Sequence, residues 1–240
     1  VRLLLLSNST NFGSGYLDHA AGEIGALFAG VGRILFVPFA LQDQEGYAAI
    51  AGRRFEALGI GVDRLAADGS AAAAVERAEG IFVGGGNTFR LLDRLQRAGA
   101  LEPIRRRVAA GMPYLGSSAG TVVACPTLKT TNDMPIVRPA SFDALGLVPF
   151  QINCHYVDPD PASRHMGETR ERRLIEFLEE NDVAVIALRE GAVLRVERHD
   201  AGAPLEVELR GGAGARLFRR GAAPVEHRPG DRLGSLLSAG

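Results

Sequence analysis

The sequence predicts an α/β protein with a mostly parallel central sheet, helices on both faces, and antiparallel strands in the C-terminal part. Three observations lead there. Continuous apolar runs alternate with helix-period segments through the first half, as βαβ crossovers require. Glycine clusters close two of those runs, at Gly84-Gly-Gly86 and Gly116-Ser-Ser-Ala-Gly120. Past residue 180 the pattern changes to short strand-like runs separated by Gly-containing turns. With 240 residues, 46% hydrophobic and 23% charged, the chain suits one globular domain over residues 1–240.

Leu3–Leu6 is an unbroken apolar run, expected of a strand covered on both faces. Tyr16–Phe28 has helical periodicity and ends at Gly30. Arg33–Phe39 reads as a strand, Asp43–Leu58 as a helix and Val62–Leu65 as a weak strand. Ser70–Ala78 reads as a helix with Ser70 as its N-cap. Gly80–Val83 is a strand that runs into the triple glycine, and Thr88–Ala98 and Leu101–Ala110 are helices. Met112–Leu115 is a short buried strand, followed by Gly116–Gly120 and then by a helix predicted from near Thr121 that Ala124-Cys-Pro126 breaks. Leu147–Tyr156 can form a strand and Thr169–Glu180 an amphipathic helix. Val183–Leu188, Ala192–Arg198, Leu205–Leu209 and Ala215–Arg219 are strands, expected to pair antiparallel, and the last dozen residues are expected to fray.

Bulk properties exclude several function classes. A formal net charge of -1 and a pI near 6.6 provide no basic field for nucleic acid or an anionic membrane. Trp is absent, so base-stacking platforms are not expected. Cys125 and Cys154 form neither a C-x-x-C pair nor a zinc spacing with any histidine, and two such cysteines fit a reducing, cytoplasmic setting. No metal or cofactor is expected. Val1–Leu6 is too short for a signal-peptide core, and no apolar run approaches the ~20 residues of a membrane span. The expected partner is a small molecule; a homo-oligomer is compatible with the sequence.

Gly116-Ser-Ser-Ala-Gly120 fits the G-x-S-x-G nucleophile elbow, in which two glycines allow a strand-to-helix turn too sharp for a Cβ. It would hold Ser118 above the strand ends. A packing turn of small residues is the plainer explanation, so the surroundings decide. A serine needs a base, and the base an acid behind it. Of five histidines, His155 stands at the end of an apolar strand beside a loop, whereas His19 lies in a helix and His165, His199 and His227 in polar segments. Two carboxylates could orient it: Asp133, in the Asn132-Asp-Met-Pro135 turn, and Glu190, at the end of the Val183–Leu188 strand. Ordinary turn carboxylates would look the same. An oxyanion hole would draw one N–H from Ala119 and one from Gly85 or Gly86. The glycine loop has neither G-x-G-x-x-G nor G-K-[ST], which makes it a poor nucleotide cradle. Arg170 could grip a carboxylate, although Arg172 and Arg173 follow it and a solvated helix face explains all three.

These residues, taken together, resemble the peptidase E (alpha-aspartyl dipeptidase) family of serine peptidases. The similarity covers nearly the whole chain. It is carried by Leu3–Thr10, Val83-Gly-Gly-Gly-Asn-Thr-Phe89, Gly116–Gly120, Ala124-Cys-Pro126, Thr130–Val137, Phe142–Leu145, Gln151-Ile-Asn153 with His155, and Gly167-Glu-Thr-Arg170. The resemblance implies a fold like the class I glutamine amidotransferases with serine at the elbow. It implies hydrolysis of Asp-Xaa dipeptides without metal or cofactor. Ser118 falls on the nucleophile and His155 on the base. Asp133 and Glu190 both fall on acidic positions of the site, and Arg170 on the arginine that reads the aspartyl carboxylate. The chain departs from the family pattern at Ser117, where relatives can carry an aromatic residue, and at Cys154, where proline is familiar. Ser117 is thereby a conceivable decoy nucleophile. A related hydrolase, such as a cyanophycinase-like peptidase or an esterase, and a non-catalytic binding module are the competing readings.

Overall fold

The computed structural model describes residues 1–160, 162, 164, 166–200 and 202–234. The fraying expected at the extreme C-terminus and the placement of His165 therefore fall largely or wholly outside the described residues.

The first half is built as its alternation predicts. Strands β1 (Arg2–Leu6), β2 (Arg33–Val37), β3 (Gly61–Arg64), β4 (Ile81–Val83) and β5 (Tyr114–Ser117) pair in parallel, in the order β3-β2-β4-β5-β1. Helices α1 (Ala21–Leu27), α2 (Gln44–Glu56), α3 (Ala71–Arg77), α4 (Thr88–Arg97), α5 (Leu101–Ala109) and α6 (Ala119–Val122) connect or follow them. Side chains alternate across a strand, so a strand without polar residues must be covered twice. In β1, Leu3 and Leu5 pack with Val75, Leu91, Leu95 and Ile104 of α3, α4 and α5. Leu4 and Leu6 pack with Ile24, Tyr47, Ala51 and Phe55 of α1 and α2 on the other face.

The second half divides between two sheets. Along it lie β6 (Gln151–Asn153), α7 (Arg170–Glu180), β7 (Val185–Leu188), β8 (Ala192–Glu197), β9 (Glu206–Gly211), β10 (Ala215–Phe218) and β11 (Val225–His227). Strands β8 and β9 extend the first sheet antiparallel, with Leu3 opposite Val196 and Leu6 opposite Val193. The others form a separate four-stranded sheet, ordered β11-β10-β7-β6. Within it β6 and β7 are parallel, joined through α7, and β10 runs antiparallel to both its neighbours. Antiparallel pairing therefore holds for β8, β9, β10 and β11 but not between β6 and β7. One continuous apolar cluster takes Leu3 and Tyr114 from the first sheet and Ile152, Ile186 and Leu217 from the second.

Local chemistry accounts for some element ends. Asp43 accepts from the Gly46 N–H at the start of α2, and Asn87 accepts from the Arg90 N–H at the start of α4. Ser70 occupies the N-cap position of α3 but makes no capping bond; its hydroxyl donates to Asp68 instead. The helix expected over Tyr16–Phe28 begins only at Ala21, after a single 3-10 turn at Asp18–Ala20, because Leu17 adopts a left-handed φ of 60°. The strand allowed over Leu147–Tyr156 shrinks to three residues, since the Leu147 N–H turns away to the Ala124 carbonyl. Helix α6 is a single turn that starts at Ala119, two residues before the expected position.

Two glycine substitutions separate steric need from mere tolerance. A Cβ on Gly120 would overlap the Val83 carbonyl oxygen, which is backbone and cannot yield. Gly22, inside α1, has open space around it. Gly120→Ala is expected to lower unfolding free energy by about 3 kcal/mol or more. Gly22→Ala should raise it by roughly 0.5–1 kcal/mol. Denaturant melts of the two variants check both signs.

Candidate active site

The site assembles where the parallel strands end at their carboxyl edge, the position at which α/β sheets bind ligands. At the end of β5 the chain turns through Ser118 with φ 52° and ψ -109°. A Cβ on Gly116 would lie 2.6 Å from the Gly120 carbonyl oxygen, so both glycines of the elbow are sterically required. The turn is fixed from below: the Ser118 N–H donates to the Leu6 carbonyl at 3.0 Å, and the Thr121 hydroxyl lies 2.7 Å from the same oxygen.

Ser118 Oγ is 2.8 Å from His155 Nε2, and His155 Nδ1 is 2.8 Å from Glu190 Oε1. A carboxylate on Nδ1 holds the proton there and leaves the Nε2 lone pair directed at the serine hydroxyl. His155 follows β6 and Glu190 follows β7, so the parallel pairing of these short strands sets the two side chains beside each other. His155 itself has φ 53°. Its N–H donates to Ser7 Oγ at 2.9 Å, and Ser7, fully buried, donates in turn to the Leu188 carbonyl at 2.9 Å. Asn8 Oδ1 accepts from the Gly191 N–H at 2.8 Å, which holds the turn that carries Glu190. Arg189 leaves Glu190 to the histidine, because its guanidinium is taken by Asp158 at 2.6 Å and Glu226 at 2.5 Å.

Asp133 takes a different place. It makes no hydrogen bond to His155. Its Oδ2 accepts from the Thr88 N–H at 2.7 Å and the Thr88 hydroxyl at 2.6 Å, at the start of α4. Of the two carboxylates left open by the sequence, only Glu190 is bonded to the imidazole. Asp133 nevertheless lines the same cavity of about 470 Å³ as Ser118, His155, Glu190, Gly86 and Tyr47.

The glycine loop after β4 closes over the serine. Gly85 packs so tightly that a Cβ would lie 3.1 Å from Ser118 Cβ. Its N–H is not free for an oxyanion, because it donates to Tyr47 Oη at 2.8 Å. This corrects the expectation that Gly85 could be the second donor. The N–H groups of Gly86 and Ala119 have no partner among the described residues, and Gly86 has a φ of 133° that only glycine adopts with ease. With α6 only one turn long, a helix macrodipole contributes little, and the N–H groups themselves are the donors available. Burial pushes the Tyr47 and Tyr16 hydroxyls up from their usual range, so both stay protonated.

The remaining groups sort themselves by burial and partners. Ser117 is fully buried and its hydroxyl finds no hydrogen-bond partner among the described residues, which argues against it as a decoy nucleophile. Burial also pushes the Cys125 and Cys154 thiols up, away from thiolate chemistry. His227 lies 3.2 Å from Asp231, and burial lowers the pKa of His19, whose ring nitrogens have no partner among the described residues. Among the three arginines opening α7, Arg172 pairs with Glu176 at 3.1 Å and Arg173 with Glu168 at 3.6 Å. Arg170 has no ion pair among the described residues. Burial and then Arg173 lower its guanidinium below the ordinary value, and Asp133 is the carboxylate whose field opposes them. Among the described residues no group of three or more His, Cys, Asp or Glu side chains could hold a metal ion. No helix among them is long and apolar enough to cross a membrane. Sequence reasoning missed Ser7, Asn8, Tyr47 and Thr88; Ser7 and Asn8 had a signal as part of the Leu3–Thr10 block and Thr88 as part of the Val83–Phe89 block, whereas Tyr47 had none.

Comparison with known proteins shows the family and the fold. The model of Peptidase family S51 matches residues 3–203. A Streptomyces coelicolor protein named "Peptidase E" is 52% identical over 237 residues, covering 99% of this chain and 95% of its own. A Drosophila melanogaster protein named "Probable alpha-aspartyl dipeptidase" is 46% identical, covering 98% of this chain and 97% of its own. The crystal structure of a peptidase from an acI-B1 Actinobacterium superposes with a TM-score of 0.72 at 18% identity, covering 97% of this chain and 96% of that one. With its elbow serine in the matched region, the chain belongs to peptidase family S51, a family of serine-type peptidases.

Proposed function

We propose that the protein is a serine dipeptidase that hydrolyses Asp-Xaa through an acyl-enzyme, with Ser118 as nucleophile, His155 as base and Glu190 as the acid that orients it. The single observation that carries this reading is the unbroken chain Ser118 Oγ–His155 Nε2–His155 Nδ1–Glu190 Oε1, with both hydrogen bonds at 2.8 Å. The names of the relatives support the choice of substrate.

In the first half-reaction Ser118 Oγ attacks the peptide carbonyl carbon while its proton passes to His155 Nε2. The carbonyl π electrons move onto oxygen, and the N–H groups of Gly86 and Ala119 receive that oxyanion. The imidazolium faces the Glu190 carboxylate. When the tetrahedral species collapses, the C–N bond breaks, and the proton on Nε2 goes to the leaving amine. An aspartyl ester of Ser118 remains. Water then gives a proton to His155, attacks the ester and frees aspartate, and the proton returns to Ser118. Arg170, half-buried and without an ionic partner among the described residues, is the guanidinium available for the aspartyl side chain.

A panel of Asp-, Glu- and Asn-Xaa dipeptides, an Asp-Xaa-Xaa tripeptide, an isoaspartyl peptide and a simple ester tests the assignment. Asp-Leu should be cleaved far faster than Asn-Leu or the ester; an enzyme that prefers the ester or the isoaspartyl bond is the related hydrolase instead. Ser118→Ala should lower kcat by ~10⁴ or more while the protein melts as before. Glu190→Gln should lower kcat by ~10²–10⁴ with little change in KM; near-normal turnover would remove Glu190 from the acid's role. Arg170→Ala should lower kcat/KM on Asp-Leu by ~10–10² without loss of stability, and equal activity would put Arg170 outside the pocket.

A further inference from the structure

We infer that Asp133 reads the free ammonium group of the substrate's N-terminal residue, and that this makes the enzyme blind to aspartates inside a chain or behind an N-acyl group. The inference rests on the dipeptidase reading and deepens it.

Two carboxylates line the cavity around Ser118. Glu190 is spent on His155 and lies across the whole imidazole ring from the serine hydroxyl. Asp133 comes from the glycine-loop side: it is bonded to Thr88, three residues beyond Gly85, whose backbone packs on Ser118. Only its Oδ2 is engaged. Oδ1 has no hydrogen-bond partner among the described residues, although the residue faces the cavity. A carboxylate held rigidly by one oxygen, with the other left over, is an acceptor positioned in advance for a cation.

The substrate's chemistry supplies that cation. In an N-terminal aspartate the ammonium is attached to the carbon next to the scissile carbonyl, and the side-chain carboxylate leaves from the same carbon. Asp133, which lines the cavity, is the carboxylate for the ammonium; Arg170, which does not line it but lies within the field of Asp133, is the cation for the side-chain carboxylate. A peptide nitrogen in place of the ammonium brings no charge. An acid with no amino group sets its own carboxylate against Asp133 with nothing between them. The site therefore selects a charge pair rather than an acidic side chain alone.

The test compares Asp-Leu with succinyl-leucine, which differs only in having hydrogen where Asp-Leu has its ammonium. The ratio of kcat/KM for the two is measured in the native enzyme and in Asp133→Asn. The asparagine keeps a carbonyl oxygen for the Thr88 N–H, so the start of α4 retains its partner. The native enzyme should prefer Asp-Leu strongly, and the variant's preference should shrink by ~10- to 100-fold. Binding of free aspartate against free succinate, measured by calorimetry, should lose selectivity by a similar factor. If both substrates suffer equally in Asp133→Asn, Asp133 is a structural cap and the inference falls while the dipeptidase reading stands. If the native enzyme cleaves Asp-Leu no better than succinyl-leucine, the inference falls without any variant. If it cleaves neither, the dipeptidase reading fails first.

Discussion

The carboxyl end of β1 is the constraint on which the site depends. Three consecutive residues there reach three separate loops. The Leu6 carbonyl accepts the Ser118 N–H and lies within reach of the Thr121 hydroxyl. The Ser7 hydroxyl takes the His155 N–H and donates to Leu188. The Asn8 side chain takes the Gly191 N–H. Ser118, His155 and Glu190 stand just past the ends of β5, β6 and β7, three strands divided between two sheets. The strand that holds all three stands inside the first sheet, between parallel β5 and antiparallel β8. Its four leucines are buried on both faces, so register is set by packing, and a slip of one residue would exchange the faces.

That rigidity sustains backbone that would otherwise relax. Among the described residues three non-glycines have positive φ, and two of them are Ser118 and His155. Each costs of order 1–3 kcal/mol and persists only where surrounding structure over-determines it. At Ser118 the surroundings are the Gly116 and Gly120 contacts and the Leu6 carbonyl; at His155 they are the Ser7 hydroxyl and β6. The strain points both side chains to one place. On the opposite wall the buried Tyr47 hydroxyl holds Gly85, and the next N–H, that of Gly86, has no partner among the described residues.

The parts that could be read in the sequence were those with local signatures. The elbow is five adjacent residues, the glycine loop three, and His155 sits where an apolar run meets a turn. The five parallel strands followed from apolar runs that need cover on both sides. The second sheet was not legible because β6 and β11 are three residues each and only long-range pairing defines them. The choice between Asp133 and Glu190 was not legible either, since both are turn carboxylates. It turns on the parallel pairing of β6 with β7, which periodicity does not encode. Ser7 and Asn8 carried a family signal without a role, because their partners lie 148 to 183 residues away. Arg170 could not be told from Arg172 and Arg173 until their glutamate partners were located.

The most direct measurement of the central claim is covalent labelling of the native enzyme with a fluorophosphonate, followed by mapping of the modified peptide. Such a reagent needs a hydroxyl whose proton is accepted by a neighbouring base. The account predicts one equivalent of label, carried by Ser118, and a labelling rate that collapses in His155→Ala. Label on Ser117, or an unmodified Ser118 in enzyme that still cleaves Asp-Leu, would contradict it.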